Sequence, residues 1–541
     1  MSILPVTSAR FARSLCLCCT LLFTACGGGG GGGGTVTGGS GGGTGGGGGG
    51  GGANGNSWQP GVFLSADTFK SQCVNPRSGI NPATGQPYAD VSGTRTDENN
   101  FLRSYSNDTY LWYDEITDRD PALFETPEYF DLLVTEELSP SGRPKDRPST
   151  HFTYPTDEYF QLSQSGVTAG YGLQWALLAA SPPRKLLVAY TEPNTPATDE
   201  GLLRGAEILE IDGVDVAFGS DVDTLNAGLF PAELGETHTF RVRDPDGTER
   251  EISMTSQEIT SSPVQNVQAI DTPTGKVGYM QFNSFGIRSA EQQLIDAITE
   301  LRNENIEDLV IDLRYNGGGF IFIASELSYM IAGANATGGR TFEKSTFNDK
   351  YPTTNPVTGQ PLTPTPFFST SDSGQALPAL DLARLFVLTG PGTCSASESV
   401  INGLRGIDIE VIQIGSTTCG KPYGFYATDN CGTTYFTIQL QTENDAGFGD
   451  YADGFSPQNA AEPTVAVPGC QVADDFTRQL GDPLEGRFAA ALAYRDGQGC
   501  PAPSSVTFPG VSKPDAPEYQ DEDMILPRSP LHEMRIMDRS R

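Results

Sequence analysis

The stretch of sequence that decides the fold is residues 384–398, RLFVLTGPGTCSASE. Its first part, Arg384–Leu388, is an apolar run that predicts a buried β-strand. A short loop of small residues follows, and Glu398 stands in the first turn of a predicted helix. A strand that runs through such a loop into a helix is the unit from which α/β folds are built. Ser395 is therefore expected at the carboxyl end of a strand, where chemistry gathers in open α/β sheets.

Two further predicted strands, each followed by a loop of small residues, lie before and after this one in the sequence. Asp308–Leu313 is a predicted strand that ends in the glycine-rich loop 314–319, ahead of a helix. Glu410–Ile414 is another predicted strand, and it is followed by the loop Thr418–Lys421. All three loops come at the carboxyl ends of strands. Residues 265–500 are therefore predicted to form an α/β catalytic domain.

The rest of the chain divides by composition. Residues 57–160 mix aromatic and acidic residues and contain two predicted helices, Phe101–Ile116 and Pro127–Leu138. Residues 165–257 are short predicted strands with one helix, and residues 501–541 form a tail. The predicted fold class is multidomain, with an N-terminal helical region, a β-rich domain and the α/β domain.

The first 56 residues are predicted to direct export rather than to join the fold. Residues 1–25 resemble a signal peptide, with a positive start and an apolar run too short to span a bilayer. The run ends in LFTAC, which resembles a bacterial lipobox with Cys26 as the lipidated residue; an ordinary cleaved signal peptide is the alternative. Residues 26–56 are nearly all Gly, which is typical of a flexible tether. The sequence thus predicts an exported lipoprotein, periplasmic or at the cell surface, anchored at Cys26.

The formal net charge is −33. Such an acidic chain argues against a nucleic-acid partner and against electrostatic docking on anionic lipid. The lipid anchor is therefore the only membrane contact expected.

Six Cys follow Cys26, and an even number in an exported chain predicts disulfides. Cys419 and Cys431 flank Lys421 among glycines that permit a tight return, so we expect a Cys419–Cys431 bridge. A Cys470–Cys500 bridge is expected around the last predicted helix. Cys394 either pairs with Cys73 or stays a buried thiol. No CxxC pair remains and the chain has only three His, so no metal site is predicted.

The α/β domain contains no His, so a catalytic base in it must be another residue type. His151, His238 and His532 all lie outside it, so a Ser-His-Asp triad would need one of the first two to reach across. Lys421 is the lysine of this domain that follows a strand end in a small-residue loop. A lysine acts as a base only when neutral, which requires burial to lower its pKa from about 10.4 to near 7. Ser395 and Lys421 are the predicted nucleophile and base; an N-cap Ser and a surface Lys are the alternatives.

An oxyanion formed at Ser395 would need donors beside it. The Ala396 amide lies at the start of a helix and points toward the developing charge. The second donor is expected from the glycine-rich loop, at Gly318 or Gly319. Glu398 either supports the site or caps the helix through its first-turn charge.

Together these strings resemble the carboxyl-terminal-processing (tail-specific) serine peptidases. The resemblance rests on TCSASE with GK downstream and on DLRYNGGG over residues 312–319. It implies a catalytic domain of the Clp protease/crotonase type, with Ser395 as nucleophile, Lys421 as base and Gly318 as an oxyanion donor. Two features depart from the family: the Ser-to-Lys interval is 26 residues, one longer than expected, and Phe425 stands where many members have a Gln.

Residues 165–257 resemble a bacterial PDZ domain in the order of their motifs. In that family a glycine-containing loop offers backbone N–H groups to a peptide carboxylate, and the peptide adds a strand. Here the loop corresponds to Tyr171, Gly172, Leu173 and Gln174. A β-rich spacer without a ligand is the alternative.

The predicted function is that of a serine endopeptidase that cleaves exported proteins or peptides near their C-termini, without a cofactor. Its expected partners are protein or peptide substrates with free C-termini, held by the PDZ-like domain. The alternative is a catalytically decayed peptide-binding or scaffolding lipoprotein. An acyl-CoA enzyme on a related core fold is disfavoured in an exported chain.

Overall fold

The computed structural model describes residues 58–146, 150–501 and 534–537, with residues 534–536 described by backbone alone. The predicted signal peptide, tether and lipidation site at Cys26 lie outside these residues. Most of the predicted tail and His532 also lie outside them. Within the described residues, no helix combines the length and the apolar character needed to cross a bilayer.

The N-terminal region contains helices, but they begin earlier than the sequence indicated. The first helix starts after Thr94, whose amide donates to the Asp97 carboxylate at 2.9 Å in a capping box. It ends at Thr109, and residues 113–115 form only a short 3-10 turn. The elements are β1 (Gln72–Cys73), β2 (Val91–Ser92), α1 (Arg95–Thr109), α2 (Thr126–Asp131), β3 (Phe152–Pro155) and α3 (Thr156–Ser165).

The next region is built on an antiparallel sheet of order β10-β9-β7-β6-β5, with β8 paired to β7. Tyr171, Trp175 and Phe240 pack in its core. It carries two helices where the sequence predicted one. The elements are β4 (Val167–Gly170), β5 (Leu173–Ala179), β6 (Lys185–Thr191), α4 (Pro196–Asp199), β7 (Glu207–Ile211), β8 (Val214–Asp215), α5 (Val222–Leu229), β9 (Thr237–Arg243), β10 (Glu249–Thr255) and β11 (Gln257–Thr260). The assignment to the PDZ family stays a prediction.

The third region has a central six-stranded sheet of order β12-β13-β14-β18-β19-β26. β12 is antiparallel to β13 and the other pairs are parallel. From its start to β19, the elements of this region are β12 (Val264–Thr272), β13 (Gly275–Phe282), α6 (Ala290–Asn303), β14 (Asp308–Asp312), β15 (Gly318–Phe320), α7 (Ile321–Thr337), β16 (Thr341–Thr346), β17 (Thr365–Pro366), β18 (Arg384–Thr389), α8 (Ala396–Arg405) and β19 (Glu410–Gly415). The remaining elements are β20 (Tyr423–Gly424), β21 (Thr428–Asn430), β22 (Thr433–Phe436), β23 (Leu440–Glu443), β24 (Phe455–Pro457), β25 (Val465–Val467), β26 (Gly469–Gln471), α9 (Gly486–Arg495) and β27 (Met534–Ile536).

The sequence explains why these elements lie where they do. β14 is buried along its whole length, as expected of a parallel strand that is covered on both faces. α6 buries Leu294, Ile298 and Leu301 on one face and leaves acidic and amide side chains outside. Because β14, β18 and β19 run parallel, their carboxyl ends share one edge of the sheet. The mixed α/β character predicted from the sequence is confirmed.

Small sheets tie the N-terminal region to the third region. β3 pairs with β22, which also pairs with β21. The disulfide Cys73–Cys431 joins β1 to the β21–β22 turn, across 358 residues of sequence. The boundaries predicted for separate domains stay predictions.

The predicted Cys419–Cys431 bridge is wrong. Cys431 has a positive φ of 56° in the β21–β22 turn and is bonded to Cys73. Cys419 is bonded instead to Cys394, because its amide donates to Thr393 O at 3.0 Å and so brings the two Cys side by side. Neither alternative weighed for Cys394 is therefore correct. The structure also joins Cys470 to Cys500, which is the pair expected from the sequence.

Candidate active site

Ser395 occupies the turn between β18 and α8. The residue has φ 57° and ψ −111°, a conformation that costs a non-glycine residue about 1–3 kcal/mol. Its hydroxyl oxygen is buried and has no hydrogen-bond partner within the described residues. Backbone strain and buried hydroxyls without a partner cluster at functional sites, so Ser395, which also forms the N-cap of α8, is a candidate functional residue.

Glu398 connects the turn at Ser395 to the loop before β20. The amides of Gly420 and Lys421 each donate to this carboxylate at 2.8 Å, and the Ser395 amide donates to it at 2.9 Å. The Thr418 hydroxyl adds a fourth bond at 2.5 Å. Burial raises the pKa of Glu398 above its ordinary value, although these donors oppose the shift. The single side chain therefore sets the position of both loops, which goes beyond the helix-capping role that the sequence also allowed.

Lys421 is buried, with 2 % of its surface exposed. Its Nζ lies 4.6 Å from the centre of the Phe425 ring. Phe425 is itself fully buried and packs edge-on against Phe152 and Phe436. The interpretation of Lys421 as a surface lysine is therefore wrong. The aromatic wall occupies the position where the family resemblance led us to expect a Gln.

The disulfide Cys394–Cys419 adds a covalent tie between the same two loops. Cys394 directly precedes Ser395, and Cys419 stands two residues before Lys421. The bond therefore works alongside Glu398, and the distance between the two loops is constrained both covalently and by hydrogen bonds.

The glycine-rich loop after β14 is held against the Ser395 turn by Asn316. The Asn316 carbonyl accepts bonds from the Cys394 amide at 3.2 Å and the Ser397 hydroxyl at 3.0 Å. The Asn316 side-chain oxygen accepts a bond from the Gly318 amide at 3.0 Å. The sequence predicted the Gly318 amide as an oxyanion donor. In the structure this N–H already donates to Asn316. Ala396 is the first residue of α8, so its amide has no acceptor within the helix.

The histidines are placed away from this site. His151 lies between Phe130 O at 2.8 Å and Thr437 Oγ1 at 3.0 Å, and burial lowers its pKa. His238 on β9 contacts Asp212 at 2.6 Å. Neither ring contacts Ser395, so among residues 58–146 and 150–501 no histidine reaches across to it.

The predicted peptide-binding residues lie on a different sheet. Tyr171 is buried and donates its hydroxyl to Gly228 O at 3.1 Å, so its side chain is part of the core. Gly172 has φ 74°, and a Cβ there would lie 2.4 Å from Thr195, so a side chain does not fit. Leu173 and Gln174 begin β5, which pairs with β6. The structure does not bring these four residues into contact with Ser395.

A buried ion network links the second region to the glycine-rich loop, and no motif in the sequence predicted it. Arg314, which follows β14, donates to Asp474 at 2.6 Å and to Glu485 at 2.8 Å. Arg204, from the second region, donates to the same Asp474 oxygen at 2.6 Å. Burial alone would raise the pKa of Asp474, but Arg487, Arg314 and Arg204 outweigh it and hold that pKa well below its ordinary value.

We expect Asp474→Asn to lower the thermal stability of the protein at pH 7. Loss of one partner from a buried ion network costs about 2 kcal/mol or more, because Arg204 and Arg314 lose a charged acceptor. A carboxyl with a lowered pKa contributes stability above the ordinary Asp pKa of about 3.9 and loses it as the pH falls through its folded value. Melting curves should therefore show the largest deficit near pH 7 and a shrinking one below about pH 4.

The exposed Asp114 is the matched control. Asp114→Asn should leave the melting curve nearly unchanged. A constant Asp474→Asn deficit at every pH would contradict the ionic explanation.

Comparison with known proteins agrees with this fold. The sequence model of peptidase family S41 matches residues 276–427, which run from β13 to just before β21. An S41 protease of Bacteroides fragilis has a similar structure, with a TM-score of 0.55 and 22 % identity, covering 74 % of this chain and 97 % of that one. By its fold and by this match, the part of the chain from β13 to β20 is similar to the S41 peptidases.

Within that class, the chain is similar to the carboxyl-terminal-processing peptidases, and the resemblance stated from the sequence is confirmed. It is 28 % identical over 287 residues to the carboxyl-terminal-processing protease of a Picosynechococcus species, covering 51 % of this chain and 60 % of that protein. It is 25 % identical over 296 residues to carboxyl-terminal-processing peptidase 3 of Arabidopsis thaliana, a chloroplast protein, covering 52 % and 51 %. The chain thus spans about half to three-fifths of the length of these curated relatives.

Proposed function

We propose that this protein is a serine endopeptidase in which Ser395 is the nucleophile and Lys421 its general base. The observation that carries the proposal is the carboxylate of Glu398, which bonds the amides of Ser395, Gly420 and Lys421 together. A shared buried anchor at both residues is what a two-residue catalytic unit requires, because a small displacement between nucleophile and base is costly.

In the proposed reaction, neutral Lys421 takes the proton of Ser395 as Oγ attacks the scissile carbonyl carbon. The negative charge on the carbonyl oxygen is stabilised by the Ala396 amide. Lys421 then gives the proton to the leaving amine, and a water molecule releases the acyl group by the reverse sequence. The burial of Lys421, with 2 % of its surface exposed, supports the neutral form because burial disfavours a charged amine.

The substrates are proposed to be exported proteins or peptides with free C-termini. Similarity to carboxyl-terminal-processing peptidases supports this, and the sheet that carries Tyr171–Gln174 is the proposed site for the substrate tail. Lipid anchoring at Cys26 is proposed from the sequence alone.

The test is hydrolysis of an unfolded protein that is fluorescently labelled near its C-terminus. We expect release of a labelled C-terminal fragment, with slower cleavage when the terminal carboxylate is amidated, because amidation removes the charge that the predicted peptide site binds. The Ser395→Ala protein is the matched control and should release none. Binding of the labelled protein without any cleavage would instead support the scaffolding alternative.

A further inference from the structure

The final described segment of the chain, residues 534–537, lies beside the glycine-rich loop. β27 pairs in parallel with β15, so that Gly318, Gly319 and Phe320 oppose Met534, Arg535 and Ile536. The chain's own tail thus adds a strand beside β15, which follows the glycine-rich loop.

The pairing uses the one edge of β15 that is open to a ligand. On its other edge, the Phe285 amide donates to Gly318 O and the Phe320 amide donates to Phe285 O, each at 2.9 Å. Backbone groups of successive residues in a strand point to opposite sides, so the peptide groups of Gly319 face β27. Gly319 has φ 139°, and a Cβ there would lie 2.1 Å from the Gly286 amide nitrogen, so only glycine allows β15 to approach residues 285–286 this closely.

Residues 534–537 also reach the part of the proposed site that contains Lys421. The Met537 amide donates to Phe425 O at 3.0 Å, and Phe425 is the ring that lies beside Lys421 Nζ. At its other end, β15 follows Asn316, which bonds the Ser395 turn. Residues 534–537 therefore extend from the glycine-rich loop, which contacts the Ser395 turn, to Phe425, which packs beside Lys421.

An extended peptide that adds a strand to an exposed edge is a common mode of peptide binding. A substrate that approached β15 in this way would need the edge that β27 occupies. Two strands cannot pair with the same edge at once, so the tail and a substrate would exclude each other.

We propose that residues 534–537 act as an intramolecular inhibitor that competes with substrate for β15. The inhibition rests on the proposed peptidase function, whereas occupancy of β15 by the tail does not. If the tail fills the edge in about nine molecules of ten, the apparent affinity for a substrate is reduced about tenfold.

The first experiment compares the full chain with variants that release the tail. Deletion of residues 534–541 should lower KM about tenfold and leave kcat nearly unchanged, since competition affects binding alone. Met537→Pro removes the donor to Phe425 and should act in the same direction with a smaller effect. Ser540→Pro, outside the paired segment, is the matched control. Equal KM values for the full and truncated proteins would overturn the proposal.

The second experiment measures binding without catalysis, in the Ser395→Ala background. A labelled synthetic peptide of residues 532–541, HEMRIMDRSR, should bind the truncated protein about tenfold more tightly than the full chain. A scrambled peptide should bind neither. Equal binding to both proteins would overturn the proposal even if hydrolysis is observed. Preferential binding to the truncated protein would support tail occupancy even if the chain hydrolyses nothing.

Discussion

Ser395→Ala and Lys421→Met should each lower kcat/KM for a peptide substrate by about 10⁴-fold or more, with melting temperatures close to that of the parent protein. The size of this effect reflects the loss of the nucleophile or of the group that activates it, and such residues act as a unit. Ser395→Ala removes a hydroxyl that has no hydrogen-bond partner in the described structure, so little stability is lost. Lys421→Met keeps a long side chain of similar volume against Phe425.

Two matched variants show whether the loss is specific. Lys344 lies on β16, is largely exposed and pairs with Glu443, so Lys344→Met should retain the parent activity. Ser397 donates its hydroxyl to Asn316 O, so Ser397→Ala should reduce activity by about tenfold or less through a shift of the loop. Full activity in Ser395→Ala, or the same large loss in Ser397→Ala, would contradict the assignment of the nucleophile.

We expect Glu398→Ala to lower kcat by about 100-fold or more and to change KM much less. Glu398 does not contact the substrate in the proposed reaction; it positions Ser395 and Lys421 through their amides. Displacement of catalytic groups by about 1 Å is enough for such a loss. The substitution also leaves three buried amides without their acceptor, at about 1–3 kcal/mol each, so the melting temperature should fall as well.

Glu398→Gln separates the positioning role from general destabilisation. Its amide oxygen still accepts hydrogen bonds, whereas its NH₂ group faces donors that it cannot satisfy. We expect kcat to fall less than in Glu398→Ala, with partial recovery of the melting temperature. Glu410→Gln, at an exposed position on β19, should have no effect on either measurement. A parallel increase of KM and loss of kcat in the Glu398 variants would indicate damage to substrate binding instead.

The sequence predicted the three strands and the loops that follow them well because their signals are local. The apolar strands β14, β18 and β19 and their small-residue loops stand out from periodicity and composition alone. The helix boundaries in the N-terminal region were less accurate. The capping box at Thr94 starts α1 six residues before the predicted start at Phe101, a signal that the hydrophobic pattern did not include.

The candidate site residues could likewise be predicted where the signal is local, and their long-range contacts could not. Ser395, Ala396, Glu398 and Lys421 could be proposed as site residues because each belongs to a short motif whose residue types suit the proposed chemistry. The engagement of the Gly318 amide by Asn316 could have been anticipated only from the conformation of the loop. The ion network of Arg204, Arg314 and Asp474 joins residues 270 and 160 positions apart, and no sequence periodicity reports such distances.

By itself, the sequence determined the α/β class, the order of the regions, the family resemblance and the identity of the candidate nucleophile and base. Hydrophobic periodicity and turn chemistry act between neighbours along the chain, so the sequence records them directly. Only the tertiary structure decided which Cys are bonded, how Glu398 holds the two loops, and that the tail pairs with β15. These features depend on which distant segments meet when the core packs. Cys431 had a plausible partner 12 residues away, and the fold instead brought it to Cys73 across 358 residues.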